Sequence, residues 1–378
     1  MADVLIVGDT ERSPELRHEV PIAIGDPFFY AEVGGKRHVV VSALEISRVE
    51  ELDSALAKHT FEEFDYEALI AAGLGSDELY SALWVQAAQA LGVRAAAVPL
   101  TFPLGHAEAL REAGIELRVD QALFDERRRV KNETELEGIR RACRAVEAGM
   151  TRAVEMLRGA DRSNGALLLD GKPLTCERIK SELERVFDEH GAIADSFTVS
   201  HGAQTAIGHD PGSGEIVDGD VVLFDLYPKD RDTACFSDFT RTVTVGPPSE
   251  EIALYHRLSK EALDLAVGMV RPGVDGKDIH RAVCDFFHEN GQKTQLHKEP
   301  GEVLRDGYFH GTGHGVGLEV HEQPSVGRIG GTLVAGDVIA LEPGLYRHGY
   351  GGVRLEDLVL VTEDGGEVLT SFPYDLEL

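Results

Sequence analysis

Apolar residues follow two rhythms along this chain. Short unbroken runs read as strands: Val4-Leu5-Ile6-Val7, Phe28-Phe29-Tyr30-Ala31 and Val39-Val40-Val41, the last two joined by a turn at Gly34-Gly35. Helical spacing takes over from Ser76 to Leu91, where Leu79, Leu83 and Ala87 share a face, and Ala95-Ala96-Ala97-Val98 and Ile115-Glu116-Leu117 follow as further strands. This alternation predicts an α/β domain with a sheet and flanking helices. Trp84, the only tryptophan, lies on that helix and is expected to pack there, with contact to a partner subunit as the other reading.

The pattern changes between Phe124 and Lys131. The charge run Asp125-Glu126-Arg127-Arg128-Arg129 marks a break and predicts two domains, residues 1–126 and 127–378. Beyond it, Asn132 with Glu135 three residues later is a capping-box signature for a long helix through Ile139, Ala142, Val146 and Met150. A Gly- and Asp-containing insertion spans Gly159 to Gly171. Further helices are predicted over Cys176 to Glu189, Glu250 to Val270 and Asp275 to Glu289, with Pro272-Gly273 stopping one and Asp275 capping the next. Strands between and after them give the second domain an α+β character, and no internal repeat is visible.

Two aspartates sit where strands meet a loop. Asp225 closes the run Val221-Val222-Leu223-Phe224, and Asp238 opens the run Ser237 to Val243, so a hairpin through Tyr227 to Thr233 would face them together. An acid beside four apolar residues must be desolvated, which is costly unless it is protonated or bound to a cation. Downstream, His310-Gly-Thr-Gly-His314-Gly-Val-Gly-Leu-Glu-Val-His321-Glu322 sets three imidazoles among glycines, shortly before Glu342 and Glu356 in strand-like settings. Four carboxylates and one imidazole, His314, suit Mn or Mg, with the nitrogen admitting Co, Zn or Fe. The set exceeds what one ion needs. Two ions sharing carboxylates would use all five groups and hold a hydroxide between them as nucleophile. Arg241 and Arg354 each either position an active-site carboxylate through charge-assisted bonds or form a structural ion pair, the latter favoured, and Asp357, next to Glu356, is expected on the opposite strand face. Tyr346 either lines the same pocket or packs. His201, His280, His288, His297 and His348 have no partner spacing and read as ordinary histidines.

Composition narrows the function classes. With 66 acids against 37 bases the formal charge is −29, which argues against nucleic acid or an anionic membrane as partner. No apolar stretch approaches the roughly 18 residues of a span, and the N-terminus lacks signal-peptide features, so a cytoplasmic protein is expected. Cys143, Cys176, Cys235 and Cys284 have no metal-like spacing and read as free thiols.

The order Asp225, Asp238, His314, Glu342, Glu356, in the settings VLFD, SDFTRT, HGTGHGVGLEVHE, LEPGLY and VRLED, resembles the pita-bread metallopeptidases: methionine aminopeptidase, aminopeptidase P, prolidase and their relatives. The resemblance implies a pita-bread catalytic domain. It also implies these five residues as ligands of two divalent ions, commonly Mn or Co, with Asp238 and Glu356 bridging and Glu342 also serving as general base. His209 matches a substrate-pocket histidine, and His310 and His321 match imidazoles that hold substrate and steady the tetrahedral intermediate. The N-terminal domain is similar to that of creatinase, prolidase and aminopeptidase P. It implies the Xaa-Pro branch, a homodimer and short peptide substrates with proline second. Prolidases often carry an arginine directly after His-Glu-x-Pro; here Ser325 follows Pro324 and Arg328 is the nearest substitute, which favours aminopeptidase P-like action over strict dipeptidase activity. A creatinase-like hydrolase working without metal and a non-catalytic pita-bread binding module are the alternatives, and the intact ligand set speaks against both.

Overall fold

The computed structural model describes residues 3–378. The chain divides into two compact units, one reaching to Arg128 and the other comprising Arg129–Leu378. The first is built on a six-stranded mixed sheet. Its strands lie in the spatial order Ala57–Thr60, Lys36–Val41, Phe28–Val33, Val4–Gly8, Ala95–Val98, Glu116–Val119. Both faces are covered: Leu5, Val7, Phe29 and Val40 pack with the helix Ser76–Ala90, while Val4, Ile6, Phe28, Val39 and Val41 pack with Leu16, Val20 and Phe124. That is why these strands read as continuous apolar runs rather than alternating ones. Trp84 is fully buried and stacks on Phe29 and Tyr80 at 5.8 and 5.7 Å between ring centroids, so it packs inside its own unit.

The charge run that reads as a break is helical, within Gln121–Arg129. Arg127 explains it: its guanidinium lies 2.6 Å from Glu19 and 2.7 Å from Glu32, so the charges form a partly buried helix face at the end of the first unit.

In the second unit the order of two helices followed by antiparallel strands occurs twice. The helices Glu133–Arg158 and Cys176–Glu189 pack through Val146, Met150, Leu183 and Phe187 on Val222, Phe224 and Val243 of a three-stranded sheet, Thr198–His201, Val221–Asp225 and Thr240–Thr244. Glu250–Met269 and Gly276–Glu289 pack on Ile339, Leu341 and Val359 of a five-stranded sheet and on the hairpin Gly344–Arg347/Gly351–Arg354. Asn132 caps the first helix as its sequence predicts, accepting from Glu135 N at 2.9 Å while Glu135 accepts from Asn132 N at 3.0 Å. The Gly159 to Gly171 insertion is a hairpin of Asp161–Ser163 with Ala166–Leu169. Among the described residues no helix is long and apolar enough to cross a membrane.

Candidate metal centre

Strand register gathers the five candidate ligands on one surface. In the first sheet Asp225 stands opposite Thr240, and Asp238 lies two residues before Thr240 in the extended segment leading into the strand, not within the strand as expected. In the second sheet His314 stands opposite Ala340, and Ala340 opposite Leu358. Glu342 is two residues beyond Ala340 and Glu356 two residues before Leu358, so period-two alternation turns Glu342, Glu356 and His314 to the same face. A bridge between Thr240 and Glu356 joins the two sheets. Thr240 Oγ1 donates to Glu356 Oε2 at 2.7 Å. Alternation also sends Asp357 to the far face, where it accepts from Arg241 at 2.9 Å and from Thr370 at 2.7 Å. Arg241 is thus structural support, as its position in the sequence suggests.

Arg354 takes the other of its two readings, beside an active-site carboxylate. Two residues before Glu356, it turns into the site, where its guanidinium contacts Asp225, donates from Nε to Thr240 Oγ1 at 3.2 Å and lies 3.9 Å from Glu342 Oε2. The same alternation that places Asp357 outside could have placed Arg354 inside. Tyr346 is fully buried behind the site, its hydroxyl 2.9 Å from His310 Nε2 and 3.3 Å from Arg354 Nη1.

A cleft of about 740 Å³ opens over this surface. Its lining includes Asp225, Asp238, His314, Glu342 and Glu356 together with His209, His310, His321 and Arg354, and apolar groups from Phe197, Pro211, Phe309 and Val320. Phe197, Tyr227, Phe309 and Val320 carry no sequence signal of their own; they line the cleft only because neighbouring segments converge there. Arg328 is exposed and is not among the lining residues. His201, His280, His288, His297 and His348 also lie outside the lining; His201, for example, pairs with Asp220 at 2.7 Å. All four cysteines are buried free thiols.

The electrostatics of the site call for cations. Burial, followed by repulsion from Glu356, Asp225 and Glu342, raises Asp238 well above the usual carboxylate range. Burial and the charges of Glu342 and Asp225 do the same to Glu356. Glu342 is pushed up to about 7 by burial, against the opposing pull of Arg354. His314 is moved the other way, down to about 4, chiefly by burial, and is neutral at pH 7. Its Nδ1 lies 3.1 Å from Gly315 O, an acceptor only, so the proton sits on Nδ1 and the Nε2 lone pair faces Asp238 at 3.7 Å and Glu342 at 3.8 Å. Those separations exceed hydrogen-bond length. Ligand atoms of Asp238, His314 and Glu356 all lie within 4.8 Å of one another. One guanidinium faces four carboxylates, a deficit of positive charge that divalent ions would fill, and the donor set fits them.

The sequence matches metallopeptidase family M24 over residues 137–363. The chain belongs to that family. This M24 chain is 30% identical over 308 residues to the Xaa-Pro dipeptidase of Pyrococcus horikoshii, which covers 79% of this chain and 78% of that protein. Its structure is similar to that of the prolidase from Pyrococcus horikoshii, with a TM-score of 0.77 and 26% identity, covering 100% of this chain and 95% of the other. It is also similar to the X-Pro aminopeptidase from Thermotoga maritima, with a TM-score of 0.77 over 99% of this chain and 97% of the other; at 21% identity that likeness shows the fold alone. The α+β, two-domain pita-bread architecture expected from the motifs is borne out, and so is the assignment as a metallopeptidase. Divalent metal ions belong to the family's chemistry.

Proposed function

We propose that this M24 peptidase hydrolyses the bond before proline in short peptides beginning Xaa-Pro, dipeptides included. The observation that carries the reading is the convergence of Asp225, Asp238, His314, Glu342 and Glu356 on the floor of a cleft walled by Phe197, Pro211, Phe309 and Val320. The similar Pyrococcus horikoshii protein is named an Xaa-Pro dipeptidase, which supports the substrate class. Two ions, manganese first among the candidates for so oxygen-rich a set, would be held by those five residues. When bound, they supply Lewis-acid polarisation of the scissile carbonyl and a water acidic enough to attack near neutral pH.

The chain's own groups do the rest. Glu342, which lines the cleft, can take a proton from the attacking water and return it to the departing proline nitrogen. His321 and His209 line the cleft and present ring nitrogens to the substrate; burial lowers His321, which keeps it a neutral donor for the developing oxyanion. Both ring nitrogens of His310 are engaged, by Gly311 O and Tyr346, so its part is to shape the pocket. The apolar wall suits a pyrrolidine ring and a hydrocarbon side chain. A homodimer in the cytoplasm completes the proposal, supported by the four unpaired thiols and the family resemblance.

The test is product analysis by mass spectrometry after incubating Mn-loaded protein with an Xaa-Pro dipeptide and an Xaa-Pro-Yaa-Zaa peptide, with Glu342→Ala as control. Release of the first residue from either, lost in the control, supports the reading; cleavage of the longer peptide alone would make the enzyme aminopeptidase P-like. No cleavage of either, or equal cleavage by the control, overturns it.

A further inference from the structure

We propose that the buried ion pair Lys131–Glu322 is a positioning element that sets the place of His321 over the cleft; this rests on the reading of His321 as a substrate-facing donor. Lys131 immediately precedes Asn132, the cap of the long helix, so its backbone is anchored by that helix start. Its ammonium donates to Glu322 Oε1 and to Arg129 O at 3.1 Å. The two side chains are only 2% and 4% exposed. Water therefore screens the pair little.

Glu322 is the residue after His321, and it pairs with Gly315, the residue after His314. The ion pair thus grips the base of the loop 316–321, which ends on His321 and is preceded by His314 and Gly315; the two imidazoles have ring centroids 4.2 Å apart. The loop is also moulded over the pair. A Cβ on Gly317 would fall 2.7 Å from Lys131 Cε and 2.7 Å from Glu322 Oε1, so the backbone here lies directly against the ion pair and a side chain at 317 would displace it. Neither Lys131 nor Glu322 lines the cleft, so an effect of either on turnover has to pass through a residue that does. His321 is the covalent neighbour and the shortest route. A salt link fixes both distance and direction from a rigid helix start, and catalytic geometry is sensitive to displacements of this order.

The experiment is a double-mutant cycle on the Mn-loaded full chain, with Lys131→Met, His321→Ala and both together, reading kcat, KM and bound metal per chain. Lys131→Met is expected to lower kcat about ten- to a hundredfold with bound metal unchanged. In the His321→Ala background it should change kcat less than about twofold, because the group it positions is gone. Equal losses in both backgrounds, or metal content falling in step with kcat, overturn the proposal. If His321→Ala alone keeps full kcat, the role given to His321 fails and the proposal falls with it, an outcome visible in the single variant. Glu322→Gln repeats the cycle should Lys131→Met not fold, and wild-type kcat in that variant would also refute the pair's role.

Discussion

The hydroxyl oxygen of Tyr346 lies 2.9 Å from Nε2 of His310, while Nδ1 of the same ring lies 2.8 Å from the carbonyl oxygen of Gly311. A carbonyl only accepts, so Nδ1 carries the ring proton and Tyr346 donates to Nε2. The tyrosine oxygen in turn accepts from Arg354, whose guanidinium faces Asp225. One buried hydroxyl thus fixes a tautomer and helps orient the cation that compensates the carboxylates. Tyr346→Phe leaves the ring in place and strands two buried polar groups, at a cost of about 1–3 kcal/mol. A thermal melt should show a fall in Tm of roughly 2–8 °C. An unchanged Tm would show that neither group needs this partner.

Thr240 offers a cleaner probe of the metal centre. Its hydroxyl accepts from Arg354 Nε and donates to Glu356, orienting a carboxylate without itself being a candidate ligand. Thr240→Val keeps the shape and removes that hydrogen bond. Metal affinity should weaken about ten- to a hundredfold, as measured by titrating chelated protein with Co(II) and following its absorbance. Equal affinity would mean that Glu356 is oriented by its strand alone.

Metal removal should make stability depend on pH in a set direction. Asp238, Glu342 and Glu356 are raised in the folded protein above their unfolded values, so the folded state binds more protons than the unfolded chain. The contribution of these three carboxylates to the stability of the metal-free protein then falls as pH rises from the unfolded carboxylate range through the raised folded values, Glu342 reaching about 7. Bound cations remove the repulsion. The difference in Tm between Mn-loaded and chelated protein should therefore widen from pH 5 to pH 8. A gap that stays constant or narrows would contradict the raised values.

Gly149 decides how tightly two helices approach. A methyl group there would meet Phe187 Cε1 at 2.7 Å and Leu183 Cδ2 at 3.2 Å, both buried in the core. Alanine gains about 1 kcal/mol of helix propensity, and overpacking costs about 1–3 kcal/mol. Gly149→Ala is expected to destabilise by about 1 kcal/mol net, read from urea midpoints. Gly268→Ala, whose methyl meets open space in another helix, should be neutral or mildly stabilising. Stabilisation by both would show that the interface at Gly149 yields.

Much of this protein is written locally in its chain. Val4–Val7 and Val39–Val41 announce strands buried on both faces, Asn132 and Glu135 announce a helix start, and the short motifs around Asp225, Asp238, His314, Glu342 and Glu356 announce candidate metal ligands. These signals need only neighbours a few residues apart. The charge run at Asp125–Arg129 falls where the two compact units divide, but the pairing of Arg127 with Glu19 and Glu32, about a hundred residues away in the chain, cannot be read from it. The repeated order of two helices and antiparallel strands escapes the sequence because packing asks for apolar periodicity rather than matching residues. Arg354 and Thr240 show the same limit inside the site. Alternation says which face each occupies on its own strand, but only the pairing of Thr240 with Glu356, 116 residues apart, sets those faces against each other. Local sequence determines side-chain direction along a strand; which strands meet, and therefore which charges share one cleft, is set by burial and hydrogen bonding across the whole unit.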